Sequence, residues 1–124
     1  MNNKEQQNIQ SEKTLTEIFK YNAEAGASEY HVMIHSTKPE DTYEEQLNAV
    51  LNTYDNLLAK ELKGGVAVFK RYFLSDAANQ ADTLLALTTE GSDCALSIVE
   101  QPPLDGTKIA LWVYLQTDIQ TQVL

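Results

Sequence analysis

The sequence predicts an α+β protein, a two-layer sandwich in which two helices cover one face of a mixed β-sheet. The segment 43–62 repeats apolar residues at the α-helical period. A second amphipathic segment follows Asp76, and five short segments are rich in β-branched and aromatic residues. Since two amphipathic helices must bury their apolar sides against a sheet, a two-layer arrangement in the order ββαβαββ is expected.

The first part of the chain predicts a tail and a hairpin. Residues 1–13 are polar and contain a single isoleucine, so we expect a flexible tail. Segments 14–21 and 28–35 predict two strands that pair as a hairpin, with Gly26 in the turn. In the second strand His31, Met33 and His35 share one face, since side chains alternate along a strand.

The first helix has a clear beginning and end. Thr42 and Glu45 have the spacing of a capping box, and Gly64-Gly65 can end the helix. Ser75 or Asp76 can cap the second helix, which is expected to run to about Thr89. Its expected buried side consists of Ala78, Ala81, Leu84 and Leu85.

The strand predicted over 66–74 is apolar on both faces, which indicates a central position in the sheet. Simple alternation places Val66, Val68, Tyr72 and Leu74 on one face, and Ala67, Phe69 and Phe73 on the other. Segments 94–100 and 109–116 predict the last two strands. The sheet face without helices would then hold Phe69, Phe73, Trp112 and Tyr114, and an apolar face of this kind needs another subunit or domain to cover it.

Length and charge limit the possible functions. The 124 residues suit one domain, which we place at 14–117, with 118–124 as a C-terminal tail or the start of a linker. The net charge of -9 argues against nucleic acid and against anionic membranes as partners. The single cysteine fits a reducing compartment, and no signal peptide or apolar membrane segment is visible, so a cytoplasmic location is expected.

Three segments carry a family resemblance: EEQLNAVLNTYDNLLAK, VFKRYFLSD and ALSIVEQPPLDGTKIALWVYL. Their order and spacing resemble the RidA (YjgF) family of reactive-intermediate deaminases, whose members have also been labelled endoribonuclease L-PSP or translation initiation inhibitor. The resemblance implies a chorismate-mutase-like fold. It also implies a homotrimer with the helix-free sheet faces at its centre and ligand pockets between adjacent subunits.

The family chemistry is hydrolysis of enamines and imines, for which the resemblance implies an arginine and a carboxylate. The family's A-R-S segment is Ala95-Leu96-Ser97 here, and leucine cannot hold a substrate carboxylate. The family acid on the last strand corresponds to Ala110 or Trp112. We therefore expect a non-catalytic module for ligand binding or assembly. The alternative is an imine deaminase or related hydrolase with relocated catalytic residues.

Several residues remain as candidates for a site at the subunit interface, with a small carboxylate or aromatic ligand. His35 and Glu100 are the catalytic candidates, since each can transfer a proton. The candidates for ligand binding are His35, Ser36, Arg71, Leu96, Ser97 and Trp112. Each has a structural alternative: Arg71 can pair with Glu100, and Trp112 can pack in the interface. His31 and His35 would lie about 13 Å apart in a strand, too far for one metal ion. No cofactor or metal is expected.

Overall fold

The computed structural model describes residues 4–22, 28–88, 94–103 and 106–117. Its elements in chain order are β1 (Lys4–Gln10), β2 (Thr14–Asn22), β3 (Ser28–Ser36), α1 (Tyr43–Ala59), β4 (Val66–Leu74), α2 (Ala77–Thr88), β5 (Ala95–Glu100) and β6 (Ile109–Thr117). The predicted α+β class and mixed sheet are confirmed. The predicted hairpin turn at Gly26 and the tail or linker at 118–124 lie outside the described residues.

The six strands form one sheet in the order β1-β2-β3-β6-β4-β5. Strands β4 and β5 are parallel, and every other neighbouring pair is antiparallel. β4 lies between β6 and β5, so its predicted central position is confirmed. β5 and β6, the last two strands along the chain, lie on either side of β4 and do not pair with each other.

Strand β1 corrects the expectation of a flexible tail for Lys4–Gln10, whereas residues 1–3 of the expected tail lie outside the described residues. It pairs with β2 along its length, and Ile9 packs against the core. The element order is therefore βββαβαββ. The polar sequence KEQQNIQ gives no period-2 pattern, because an edge strand with one buried apolar side chain does not need one.

The capping box of α1 is confirmed. The Glu45 amide donates to Thr42 Oγ1 at 3.2 Å, and the Thr42 amide donates to Glu45 Oε1 at 2.9 Å. These backbone and side-chain bonds with Thr42 lower the pKa of the Glu45 carboxyl. The helix ends at Ala59, three residues before the predicted end at Leu62, and the following turn reaches Gly64, whose φ of 88° suits glycine.

A β-bulge at Val68 corrects the expected faces of β4. The pairing with β6 shifts by one residue between Ala67 and Phe69. Ala67 therefore packs on the same side as Tyr72 and Leu74, while Val66 and Val68 are 65% and 42% exposed. The expected common face of Val66 and Val68 with Tyr72 and Leu74 is wrong, because strict alternation does not allow for the extra residue.

Both helices pack on the same face of the sheet. Their buried residues join strand residues in one hydrophobic cluster, which includes Val50, Leu84, Ile34, Tyr72 and Leu111. In α2 the fully buried residues are Gln80 and Leu84, whereas Ala78 is exposed, contrary to expectation.

Gln46 of α1 joins the two loops at one end of the sheet. Its side chain is 1% exposed and donates to the carbonyls of Lys38 and Asp41 at 3.1 and 2.9 Å. Its Oε1 accepts from the Lys108 amide at 2.8 Å. These bonds hold the loop before α1 against the loop before β6, and both loops border the site described next.

Candidate functional site

The side of the sheet opposite the helices, here called the helix-free face, carries its side chains in rows across β2, β3, β6, β4 and β5. The strand register sets these rows, which we name by their β4 residue. In this strand order the Phe73 row contains Leu15, His35, Ala110, Phe73 and Val99; the Arg71 row contains Glu17, Met33, Trp112, Arg71 and Ser97; the Phe69 row contains Phe19, His31, Tyr114, Phe69 and Ala95. The expected positions of Phe69, Phe73, Trp112 and Tyr114 on this face agree with the register.

A groove of about 350 Å³ opens on the helix-free face in the Phe73 row. Ala110 is small and lies between His35 and Phe73 in the row, which leaves room above it. The groove is lined by Met33, His35, Phe73, Gln101, Pro102, Pro103 and Ala110. Most of these side chains are apolar, and a groove with one imidazole and one amide suits a small ligand with an apolar body.

His35 is the polar group with a defined partner in this groove. Its Nε2 lies 3.2 Å from Glu17 Oε1, so the carboxylate can fix the orientation of the ring. His35 also borders a second groove of about 360 Å³, together with Glu17, Ser36 and Thr37. His35 lines both grooves, whereas Glu17 lines only the second. The side chains of Glu17 and His35 are 34% and 27% exposed.

Glu17 was not among the residues selected from the sequence. It lies one row from His35 on the adjacent strand, where diagonal neighbours are within reach of long side chains. This relation depends on the register of β2 against β3. The sequence could indicate Glu17 only if that register were known, because Leu15, Glu17 and Phe19 would then lie on the same face as His35.

Arg71, the only arginine in the sequence, lies within the helix-free face between Ser97 and Trp112. Its guanidinium carbon lies 5.2 Å from the centre of the Phe69 ring. Its Nε is buried and has no hydrogen-bond partner, and no described residue forms an ion pair with it. An arginine without an ion-pair partner can still bind a carboxylate through its guanidinium.

Glu100 does not pair with Arg71, contrary to the structural alternative considered for both residues. Its Oε1 accepts a hydrogen bond from the Ala77 amide at 2.9 Å, at the beginning of α2. A carboxylate at this point satisfies an open backbone donor of the helix. In register with Leu74, Glu100 lies on the helix side of the sheet and does not line either groove.

Leu96 and Ser97 lie on opposite sides of β5. Ser97 is paired with Arg71 on the helix-free face, whereas Leu96 is paired with Lys70, whose ammonium lies over the Tyr54 ring on the helix side. Leu96 is 38% exposed and does not line the grooves. Ser36 is buried, its Oγ accepts from the Lys38 amide at 3.1 Å, and it borders the second groove.

An aromatic cluster fills the remainder of the helix-free face. His31 lies 5.0 Å from Tyr114, 5.6 Å from Tyr21 and 5.7 Å from Trp112, measured between ring centres. Trp112 in turn lies 5.5 Å from Phe69. These rings are only partly buried in the single chain, which leaves apolar surface exposed around Arg71.

The described residues contain no group of three His, Cys, Asp or Glu side chains placed to hold a metal ion. Neither α1 nor α2, the helices in the described ranges, has the length and apolar character to span a membrane.

Comparison with known proteins gives a likeness of fold. No protein-family model matches the chain, and no curated protein matches it. A solved structure described as a "putative translation initiation inhibitor from Salmonella typhimurium" aligns with a TM-score of 0.60 at 16% sequence identity. The alignment covers 88% of this chain and 95% of that one. The chain therefore has the mixed α+β fold of that protein over nearly its whole length.

Proposed function

We propose that the chain is a divergent relative of the RidA family that forms a homotrimer and binds a small ligand without acting as an imine deaminase. The observation that carries the proposal is the helix-free face. It exposes an aromatic cluster and an unpaired arginine next to a groove of about 350 Å³. The similar fold of the translation-inhibitor protein and the segment resemblance support the family assignment.

The groove chemistry favours a small carboxylate or aromatic ligand with an apolar body. Met33, Phe73 and Ala110 provide apolar walls, while His35 and Gln101 provide polar atoms at the edge. In the proposed trimer a neighbouring subunit would close the open side of the groove. Closure would remove water from the ligand and strengthen its polar contacts.

The absence of deaminase activity is proposed because the groove lacks the two charged groups of the family chemistry. Leu96 replaces the arginine and faces the helix side, and Ala110 and Trp112 leave β6 without an acid on the helix-free face. The net charge of -9 also disfavours binding to RNA.

Ammonia release from 2-aminoacrylate tests the proposal directly. The wild-type protein is expected to release ammonia at the rate of buffer alone. Light scattering coupled to gel filtration is expected to give a trimer. Leu96→Arg is a matched variant that restores the family residue, and it is expected to remain inactive because position 96 lies on the helix side. Acceleration by the wild type would contradict the non-catalytic proposal, and a monomer would contradict the assembly.

A second candidate function, hydrolysis, is favoured by the Glu17–His35 pair. In this reading Glu17 orients the imidazole, and His35 removes a proton from water as the water oxygen bonds to the imine carbon. The imine nitrogen takes up this proton, which gives a carbinolamine. His35 then passes the hydroxyl proton of this intermediate to the amine nitrogen as the carbon–nitrogen bond breaks. Both protons of the water thus reach the nitrogen, and the products are a ketone and ammonia.

Glu17→Gln separates this candidate from simple binding. If the pair is catalytic, the substitution lowers the rate of ammonia release by at least about tenfold and leaves substrate affinity nearly unchanged. Glu44→Gln, on the exposed face of α1, is the control and should leave the rate unchanged. Equal rates for wild type, Glu17→Gln and buffer would rule out hydrolysis of this substrate by the pair.

A further inference from the structure

We infer that Arg71 forms an ion pair with Glu29 of a second copy of this chain when the helix-free faces associate. This inference rests on the assembly proposed above and names the contact that holds it together.

Arg71 needs an acceptor if its face is covered. The guanidinium lies against Phe69 within a half-buried aromatic surface, and its Nε is already buried without an acceptor. An interface over this surface would remove the remaining water from the guanidinium. Burying an unpaired charge is costly, so an assembly through this face must supply an acceptor to Arg71.

The described strands place two carboxylates on the helix-free face, Glu17 and Glu29. Glu17 is already bonded to His35 at 3.2 Å. Glu29 is paired through the backbone with Tyr21 and Gln116 beyond the Phe69 row, and its carboxylate forms no side-chain hydrogen bond or ion pair with any described residue. Glu29 is therefore the uncommitted acid that matches the uncommitted arginine.

Arg71 and Glu29 cannot meet within one chain. They are two rows apart along the strands and two strands apart across the sheet. With a rise of about 3.3 Å per residue and a strand spacing of about 4.8 Å, the separation is roughly 16 Å. If a second copy is shifted so that its Glu29 end lies over the Arg71 row, Arg71 and Glu29 can form an ion pair between the two copies. Each copy then contributes one positive and one negative group to the interface.

A charge exchange tests the pair. Arg71→Glu and Glu29→Arg are each expected to raise the dissociation constant of the assembly at least about 30-fold, since each places like charges together. The double variant carries the reversed pair and is expected to return to within about fivefold of the wild-type value. Sedimentation velocity over a dilution series measures all four proteins.

Glu44→Arg makes the same change of charge on the exposed face of α1 and should leave association unchanged. Near-ultraviolet circular dichroism of each variant as a dilute monomer separates loss of association from loss of folding. An equal mixture of the two single variants shows whether the assembly is a two-fold dimer or a three-membered ring. A two-fold dimer recovers fully in the mixture, whereas a three-membered ring recovers fully only when both changes are in the same chain.

The inference and the proposed function fail in different ways. A wild-type protein that remains monomeric at every concentration overturns the proposed assembly and the ion pair with it. An associated wild type whose double variant does not recover overturns the ion pair alone. Loss of association in Arg71→Glu but not in Glu29→Arg also overturns the pair, because the acceptor of Arg71 would then be another group.

Discussion

The two faces of β6 differ although they belong to one strand of nine residues. On the helix side Ile109, Leu111, Val113 and Leu115 are all 0% exposed and aliphatic. On the helix-free side Trp112 and Tyr114 are partly exposed, aromatic and in contact with His31. The helix side completes its packing within the chain, whereas the other side leaves aromatic side chains partly exposed, which the proposed assembly would cover.

Alanine substitutions at two adjacent residues of β6, Leu111 and Trp112, should show the largest difference between the two faces. Leu111→Ala is expected to lower the free energy of unfolding by about 2–5 kcal/mol, because it leaves a cavity in the core. Trp112→Ala should instead weaken association by at least about 30-fold, as expected for an aromatic anchor in an interface. Urea unfolding of the dilute monomer and sedimentation of the concentrated protein measure these two effects.

If Trp112→Ala left association unchanged, or destabilised the dilute monomer as much as Leu111→Ala does, the two faces of β6 would not differ in this way. Thr117→Ala is the control, because Thr117 is the last residue of the same strand and belongs neither to the hydrophobic cluster nor to the aromatic cluster.

Alkaline pH should weaken the helix side. Burial raises the pKa of Tyr43 and of Tyr54 to about 12, above the ordinary value of 10.0. The stabilising effect of a raised pKa is complete below pH 10 and is lost as the pH rises toward 12, because the unfolded chain releases these protons first. Urea unfolding at pH 9, 10 and 11 should show a falling free energy of unfolding, and Tyr54→Phe should make the fall shallower. A free energy that does not change over this range would contradict the expectation.

The smallest expected effect is a gain from Tyr72→Phe. The Tyr72 side chain is 0% exposed, and its hydroxyl has no hydrogen-bond partner among the described residues. Removing this unsatisfied group should raise the free energy of unfolding by about 1 kcal/mol. Tyr43→Phe is the matched control, since the Tyr43 hydroxyl donates to the Gln80 carbonyl at 3.1 Å, and its loss should lower stability by about 1 kcal/mol. A loss of stability in Tyr72→Phe would show that its hydroxyl is satisfied in solution.

Local chemistry made much of the fold predictable. The capping box at Thr42 and Glu45 and the apolar stripe of α1 depend on residues close together in sequence. The same holds for the alternation in β3 that places His31, Met33 and His35 together. Each of these patterns determines a local conformation, whatever the rest of the chain does.

The missed features depend on pairing between distant segments. β1 is held by its hydrogen bonds to β2 rather than by an apolar pattern, so its sequence resembles a tail. Glu17 becomes a partner of His35 only through the β2–β3 register, and Leu96 turns to the helix side only through its parallel pairing with Lys70. The sequence therefore predicted which side chains of the candidate site share a face of the sheet, but it did not predict the contacts between them.

The bulge at Val68 has a consequence for how this chain is aligned with its relatives. In an ordinary strand, deleting one residue moves every side chain beyond the deletion to the opposite face of the sheet. At Val68 the deletion would instead leave Ala67 opposite Leu115 and Phe69 opposite Tyr114 in an uninterrupted ladder. A relative with one residue fewer in this strand can thus keep both faces intact, and the gap in its alignment belongs at position 68.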